Sequence, residues 1–485
     1  MKIRETFSLH ASGLCVLAGS MILLGCGSST APTGTSPLSS STAPAVVTAS
    51  DAPLSNILSA VVTLSSASLS TGTTSAPVLT KPVVVELSSL GATQEPLELT
   101  NLAYGTYTSV TVTVSSAVVT YVNSGGQVVN TTATLTQPTV TVALAPSLVI
   151  SGTGEVQVQL AFNLAQSFSI TGSTVTFGPA INTVGTQVSA ESSGDRKIEV
   201  TGSAASVSAS SITIQAGDSG RQFAFAINSS TQFPSGMTAS SIQTGAIVQV
   251  QGQTQTDGTL LATTITQESA AGSSGQQEDG AKGIVTAVTT NSSGALTGFT
   301  MVPRENYGGQ NSSAASLTVA VSSSTTYGSS EDAQQSGVSA TAFTSAEVFP
   351  GQSVVVAGSA GTGGVLNAQQ VTLAAESIAG TLAAIPQGTS PDFTFSLTLP
   401  ASSLITTYQA LTAMNVSTNQ ATEFGGSLSA GSFASLAAGS NVELHGYLMK
   451  TSGGNYLLYA SGISQVETPE TPEAPEGGSS NGGGN

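Results

Sequence analysis

Residues 245–252 read GAIVQVQG, and this stretch decides the fold because its pattern recurs twice further along the chain. Residues 351–358 read GQSVVVAG and residues 439–446 read GSNVELHG, with the same spacing between the two glycines. A strand pattern lies between the glycines in each copy, and a second strand pattern follows after a glycine-containing turn. Three coincident registers predict an internal repeat.

The repeat extends on both sides of this hairpin. Strand patterns open each copy at Gly202, Gly283 and Gly380, and a Ser-Thr element lies in between, at residues 230–233, 324–327 and 417–420. Paired glycines in strands mark kinks or close backbone contacts, as at the corners of a small barrel. About five strands per copy, closed on themselves, leave no exposed edge. The sequence therefore predicts three OB-like β-barrels, at residues 197–268, 282–375 and 377–466.

The repeat resembles a family of exported bacterial proteins called domain of unknown function 5666. This resemblance implies a small barrel and no assigned activity.

Residues 51–190, before the repeats, predict a separate β-sandwich. Alternating patterns such as TYTSVTVTV at 106–114 and EVQVQL at 155–160 are separated by glycine turns, which indicates about seven short strands. The start SDAP at 50–53 and the strand entry LAYGTYTSV at 102–110 resemble a second family, domain of unknown function 4382, which occurs in lipoproteins. The expected fold is thus all-β: an immunoglobulin- or transthyretin-like sandwich followed by three barrels.

The amino terminus predicts export. Basic residues precede an apolar run that ends at Leu24, and LLGC at 23–26 resembles the bacterial lipobox, in which the cysteine receives a diacylglycerol. We expect a signal peptide at 1–25, a lipid anchor on Cys26, a disordered Ser/Thr/Pro tether at 26–50, and a disordered acidic tail at 467–485. The expected location is the outer membrane or the cell surface.

Composition excludes several chemistries for the exported chain. Of the two cysteines, Cys15 lies in the signal and Cys26 is the predicted lipid site, so no thiol remains for catalysis or disulfides. Removing Lys2, Arg4 and Glu5 leaves 7 basic and 25 acidic residues, a net charge of −18. This charge argues against nucleic-acid binding, which requires clustered basic residues. No cofactor motif is visible, and we expect no cofactor and no metal.

Few side chains qualify as site residues. Alternation along the strand at 442–448 predicts that Glu443, His445 and Tyr447 share a solvent-facing side, and Tyr307 lies in an expected loop insert. These four are candidates for ligand binding. The sequence lacks a Gly-x-Ser-x-Gly elbow, so catalysis by His445 is not expected. The acidic pairs at 278–279 and 331–332 are interpreted as solvated charges of connectors.

Three functional hypotheses remain open. The first is a lipid-anchored, non-catalytic stalk that binds carbohydrate or an envelope polymer. The second is an accessory subunit that contacts other envelope proteins. The third is a hydrolase whose two carboxyl groups flank a bond in one cleft.

The lipid anchor is directly testable. Because the acyl chains would be attached through the sulfur, Cys26→Ala should abolish radioactive palmitate labelling and release the protein from the membrane fraction. Cys15→Ala is the matched control and should be labelled as the wild type is. Membrane retention and labelling of Cys26→Ala would refute the anchor.

Overall fold

The computed structural model describes residues 42–465, apart from 53–55, 91–93, 153, 188–196, 218–219, 234–236, 256, 270–278, 308–314, 426–427 and 452. Cys26, the predicted signal peptide, the predicted tether up to residue 41 and the predicted acidic tail lie outside the described residues. Within this part of the chain no helix is long and apolar enough to cross a membrane.

The described chain is all-β, as predicted. Its only helices are short: α1 (Leu164–Ser167), α2 (Glu331–Gln335), α3 (Leu404–Gln409) and α4 (Ala430–Phe433), with single 3₁₀ turns at Leu87–Ser89, Ala239–Ser241, Ser345–Glu347 and Thr362–Gly364.

A β-sandwich forms the first domain. Its strands are β1 (Thr42–Ala52), β2 (Ile57–Ser70), β3 (Ser75–Pro77), β4 (Val83–Glu86), β5 (Glu95–Ala103), β6 (Gly105–Val122), β7 (Val128–Thr132), β8 (Thr134–Leu135), β9 (Thr139–Ile150), β10 (Val156–Asn163), β11 (Phe168–Thr171), β12 (Thr174–Phe177) and β13 (Ile181–Gln187). One sheet has the strand order β13-β10-β1-β5. The other has the order β3-β2-β6-β7, with β4 added on β2 and β9 on β6, and β11-β12-β8 form a small third sheet. Alternating side chains such as Val110, Val112 and Val158 fill the core.

The expected tether at 26–50 and the expected sandwich start at residue 51 are wrong for residues 42–50. These residues belong to β1, which pairs in parallel with β10 and antiparallel with β5. Ala43, Ala45, Val47 and Ala49 alternate into the core and are buried. Small side chains suffice there, so a sequence rich in Ala, Ser, Thr and Pro resembles a tether while acting as a strand.

Three barrels follow with one shared strand order. In each, the first strand pairs with the second, the second with the third, the third in parallel with the fifth, the fifth with the fourth and the fourth with the first, as in an OB-fold. Barrel 1 comprises β14 (Lys197–Val207), β15 (Ser211–Ala216), β16 (Arg221–Ala226), β17 (Ile247–Thr254) and β18 (Leu260–Ser269). Barrel 2 comprises β19 (Asp279–Thr290), β20 (Leu296–Tyr307), β21 (Leu317–Ala320), β22 (Thr326–Ser329), β23 (Ser353–Ala360) and β24 (Val365–Leu373), with β22 as an addition beside β24. Barrel 3 comprises β25 (Glu376–Leu382), β26 (Gln387–Thr389), β27 (Asp392–Thr398), β28 (Ala413–Ser417), β29 (Glu423–Gly425), β30 (Asn441–Lys450) and β31 (Tyr456–Gln465), with β26 and β29 as additions beside β27 and β31.

The recurring glycines have the geometry that their spacing predicted. The strand register shifts at Gly252, Gly358 and Gly446, the second glycine of each pair. A Cβ at these positions would lie 2.8, 2.0 and 2.3 Å from a carbonyl oxygen of the neighbouring strand. The kink therefore needs glycine in every copy.

The Ser-Thr element recurs too, but in barrel 3 it lies elsewhere than expected. The hydroxyl groups of Thr231 and Thr325 each donate a hydrogen bond of 2.8 Å to the carbonyl oxygen of a residue in the last strand. The corresponding bond in barrel 3 comes from Thr422 (2.7 Å to Ala460 O), so the expected position at 417–420 is wrong. The sequence pattern rests on a Ser-Thr pair, whereas the hydrogen bond needs only the threonine, so the pair at 417–418 is not the equivalent of Thr231 and Thr325.

The four domains form one compact unit rather than a string. An apolar cluster joins Leu58 of the sandwich to Ile284 of barrel 2 and Leu404 of barrel 3. A second cluster joins Ile247 of barrel 1 to Val355 of barrel 2. The expected stalk of separate modules is therefore wrong.

The kink at Gly358 gives a test of the barrel geometry. Gly358→Ala should lower the free energy of unfolding by about 1–3 kcal/mol because its methyl group overlaps Asn367 O. Gly328→Ala, where open space surrounds the added methyl group, should change it by less than about 0.5 kcal/mol. Urea unfolding of both variants measures the difference, and equal stabilities would contradict the bulge.

Candidate functional site

Three basic side chains lie where the four domains meet. Arg221 of β16 pairs with Glu95 of the sandwich, and its Nη1 donates to Pro96 O at 2.6 Å. Arg304 of β20 donates from Nε to Leu58 O of the sandwich at 2.8 Å. These contacts attach barrel 1 to β5 in one sheet of the sandwich and barrel 2 to β2 in the other.

Carboxylates of barrels 2 and 3 balance Arg304 and the third basic residue, Lys282 of β19. Arg304 Nη2 lies 4.0 Å from Glu376 Oε1 of barrel 3, with both side chains less than 10% exposed. Lys282 Nζ lies 3.5 Å from Glu305 Oε1. Burial lowers the pKa of Lys282, but Glu305, Glu199 and Glu268 outweigh burial and leave this pKa raised. We call Arg221, Lys282 and Arg304 the cationic junction.

Beside the junction is a cavity of about 620 Å³, lined by all three barrels. We call it the chamber. Its walls are the outer faces of barrel strands, which are polar because inward and outward residues alternate. On β17, Gln249, Gln251 and Gln253 line the chamber while Val248 and Val250 are buried in barrel 1. The chamber volume is typical of small-molecule sites.

Glu268 is the most deeply buried carboxyl group of the chamber. It ends β18 and is 6% exposed, and its backbone oxygen accepts hydrogen bonds from Gln370 and Thr372 of barrel 2 at 3.0 and 3.2 Å. Burial and the nearby charge of Asp332 raise the pKa of Glu268 to about 7. Among the described residues its carboxyl group accepts or donates no hydrogen bond.

Two further carboxyl groups lie close to Glu268. Asp332 accepts a hydrogen bond of 3.3 Å from Gln251 Nε2, and its pKa is raised to about 6 by burial and then by Glu199. Burial likewise raises the pKa of Glu199, although Lys282 opposes this shift. The expectation that Asp332 is a solvated connector charge is wrong, because α2 places it against the chamber.

His445 and Tyr447 line the same chamber, so their expected position facing solvent is wrong. Tyr447 is 5% exposed and bonds to Ser330 of barrel 2, and burial raises its pKa well above the ordinary value. His445 Nδ1 lies 3.1 Å from Ser377 Oγ, and burial, with a smaller effect of Lys282, lowers its pKa to about 4. The histidine is thus neutral near pH 7.

The other two candidates do not reach the chamber. Tyr307 ends β20 instead of lying in a loop; it is buried between barrels 1 and 2 and donates to Glu305 Oε2 at 2.6 Å. Glu443 shares a strand face with His445 but is buried outside the chamber lining, and no described residue donates a hydrogen bond to its Oε1. The buried rings of Tyr107, Tyr121, Tyr307 and Tyr447 offer no exposed stacking surface.

The chamber residues that sequence reasoning missed are Glu199, Glu268, Lys282 and the glutamines of β17. Each sits at an outward position of its own strand, where solvent exposure is the normal expectation. The alternating glutamines of β17 were the available signal, although Gln157 and Gln159 give the sandwich strand β10 the same pattern.

The geometry favours binding of hydrogen-bond donors or cations. The described residues hold no group of three or more His, Cys, Asp or Glu side chains placed to bind a metal ion. Within the same residues the ring of His445 makes no second hydrogen bond, so it lacks the carboxylate that orients a catalytic histidine. Glu199 and Asp332 already accept hydrogen bonds from glutamines of β17. The carboxyl group of Glu268, without such a bond from the described residues, can instead accept hydrogen bonds from a ligand.

Comparison with known families finds one match. Residues 201–266, within barrel 1, are similar to the family described as a domain of unknown function, DUF5666. No curated protein matches the chain. The resemblance is thus confirmed for the first barrel.

The buried carboxyl groups predict how stability depends on pH. Burial raises the pKa of Glu443 to about 7, from an ordinary value of 4.5, as it does for Glu376 and Glu268. The folded state therefore holds protons that the unfolded state releases. The contribution of these groups to the free energy of unfolding is full below about pH 4.5 and is lost as pH rises through about 7.

Glu443→Gln should reduce this decrease in the free energy of unfolding with rising pH. At about pH 8 the variant should be more stable than the wild type by up to about 3 kcal/mol, and the difference should vanish near pH 4.5. Urea unfolding at the two pH values measures it, with Asp392→Asn, at an exposed carboxyl group, as control. Parallel pH profiles for Glu443→Gln and the wild type would show that Glu443 is not buried as a neutral acid.

Proposed function

We propose that this chain is an exported, lipid-anchored and non-catalytic protein of the cell envelope that binds a polar ligand, a carbohydrate or the end of an envelope polymer, in the chamber. The observation that carries the proposal is Glu268, a residue only 6% exposed that lines a cavity of about 620 Å³ and whose carboxyl group has no hydrogen bond from the described residues. A carboxyl group that lines a ligand-sized cavity and has no such hydrogen bond is available to accept hydrogen bonds from a polar ligand.

The remaining architecture fits this role. The anchor on Cys26 would hold the protein at the membrane, and the three barrels would act together, since each supplies part of the chamber wall. We extend the family resemblance accordingly: barrels 2 and 3 are proposed as further copies of domain of unknown function 5666, because they repeat the strand order and kinked glycines of barrel 1. The sandwich is proposed as a domain of unknown function 4382.

A hydrolase is the second candidate, favoured by one observation. Glu268 and Asp332 lie in one chamber and interact electrostatically, and their pKa values are about 7 and 6. Such a pair can supply an acid and a base for glycoside cleavage. Hydrolysis of an oligosaccharide by the full chain that is lost in both Glu268→Gln and Asp332→Asn would favour this candidate over simple binding.

The binding proposal is tested by closing the chamber. Full-length protein in detergent is applied to a glycan array, and the glycans that bind are titrated by calorimetry. Ala421 is exposed at the mouth of the chamber, so Ala421→Trp should weaken binding at least about tenfold by occupying the entrance.

Ala224→Trp is the matched control, because Ala224 is exposed on barrel 1 away from the chamber, and its binding should be unchanged. Equal binding by both variants would place the ligand elsewhere. If no glycan of the array binds and crosslinking in intact cells captures an envelope protein, the accessory-subunit hypothesis would be favoured instead.

A further inference from the structure

The chamber carries more acid than base. Glu199, Glu268 and Asp332 line its inner part, Glu423 lies at the exposed mouth, and Lys282 is the one basic residue of the described lining. The ammonium group of Lys282 already lies 3.5 Å from Glu305, which does not line the chamber. Histidine adds no charge, because His445 is neutral. An anionic ligand such as a phosphate or a uronic acid would be repelled here.

Glu268 shows where a cation would bind. Residue Glu268 is 6% exposed and lines the chamber, and its carboxyl group has no hydrogen bond from the described residues. Asp332 repels its negative charge more strongly than Lys282 attracts it, and Glu199 adds to the repulsion. An ammonium group brings three donors and one positive charge, so it satisfies this carboxylate and reduces the repulsion. A lone metal ion fits less well, since the described residues provide no group of three His, Cys, Asp or Glu side chains placed to bind one.

The walls around this point match hydroxyl groups. Gln232, Gln249 and Gln253 and the hydroxyl side chains of Thr201 and Thr264 line the chamber. Amides and hydroxyls both donate and accept hydrogen bonds, which suits the hydroxyl groups of a sugar. The cavity of about 620 Å³ is much larger than a simple amine requires.

From these observations we infer that the chamber recognises a hydroxylated primary amine, as in an amino sugar with a free ammonium group, with Glu268 as the main partner of the ammonium. This inference rests on the proposed function of the chamber and names its ligand class. Glu199 and Asp332 complete the negative surface around the ammonium, and the glutamines of β17 contact the hydroxyl groups.

The test compares two ligands that differ in one group. The full-length protein in detergent is titrated at about pH 7 with the disaccharide of glucosamine and with its N-acetylated form, which lacks the charge. We expect the free amine to bind at least about tenfold more tightly. Glu268→Gln should remove most of this preference, and Asp392→Asn, exposed on barrel 3 outside the chamber lining, should retain it.

Three outcomes would overturn the inference. If the N-acetylated disaccharide binds equally well and Ala421→Trp abolishes its binding, the ammonium claim is wrong while the chamber remains the binding site. If spermidine, an amine without hydroxyl groups, binds as tightly as the amino sugar, the hydroxyl requirement is wrong. If neither disaccharide binds, the ligand class is wrong, and the proposed function then depends on whether any array glycan is sensitive to Ala421→Trp.

Discussion

The burial of three basic side chains at one point constrains the rest of this structure. Arg221, Lys282 and Arg304 are each less than one-fifth exposed, and an unpaired buried charge costs several kcal/mol. Arg221 finds its partner in the sandwich, and Arg304 finds its partners in the sandwich and barrel 3. The domains must therefore remain in contact for the charges of Arg221 and Arg304 to be satisfied. A chain with few basic residues has placed three of them where domains meet.

This junction also determines the chemistry of the chamber. Lys282 lines both the chamber and a small cavity of about 70 Å³ inside the junction, so the two sites share one cation. Because Lys282 lies nearest to Glu305, the chamber is left with unbalanced carboxyl groups. Their raised pKa values follow from burial and from one another. The charge that favours a cationic ligand is thus a consequence of how the barrels are packed.

The sequence predicted the barrels well because their signals are local. A bulge at Gly358 needs a glycine wherever it occurs, and the spacing from Gly351 preserves the length of the strand, so the pattern is visible without a structure. Strand β1 was missed because alanine fills its core positions and gives weak alternation. The chamber could not be predicted at all. Glu268 and Asp332 each occupy an outward or connecting position that is normally solvated, and only the packing of three barrels brings them together.

Calorimetric unfolding of the full-length protein tests most directly whether the cationic junction unites the four domains. A single cooperative transition, with equal calorimetric and van't Hoff enthalpies, is the result expected when the domains unfold together. Separate transitions for the sandwich and the barrels would contradict it. In that case the domains would be independent modules, and the chamber between them would not be a stable site.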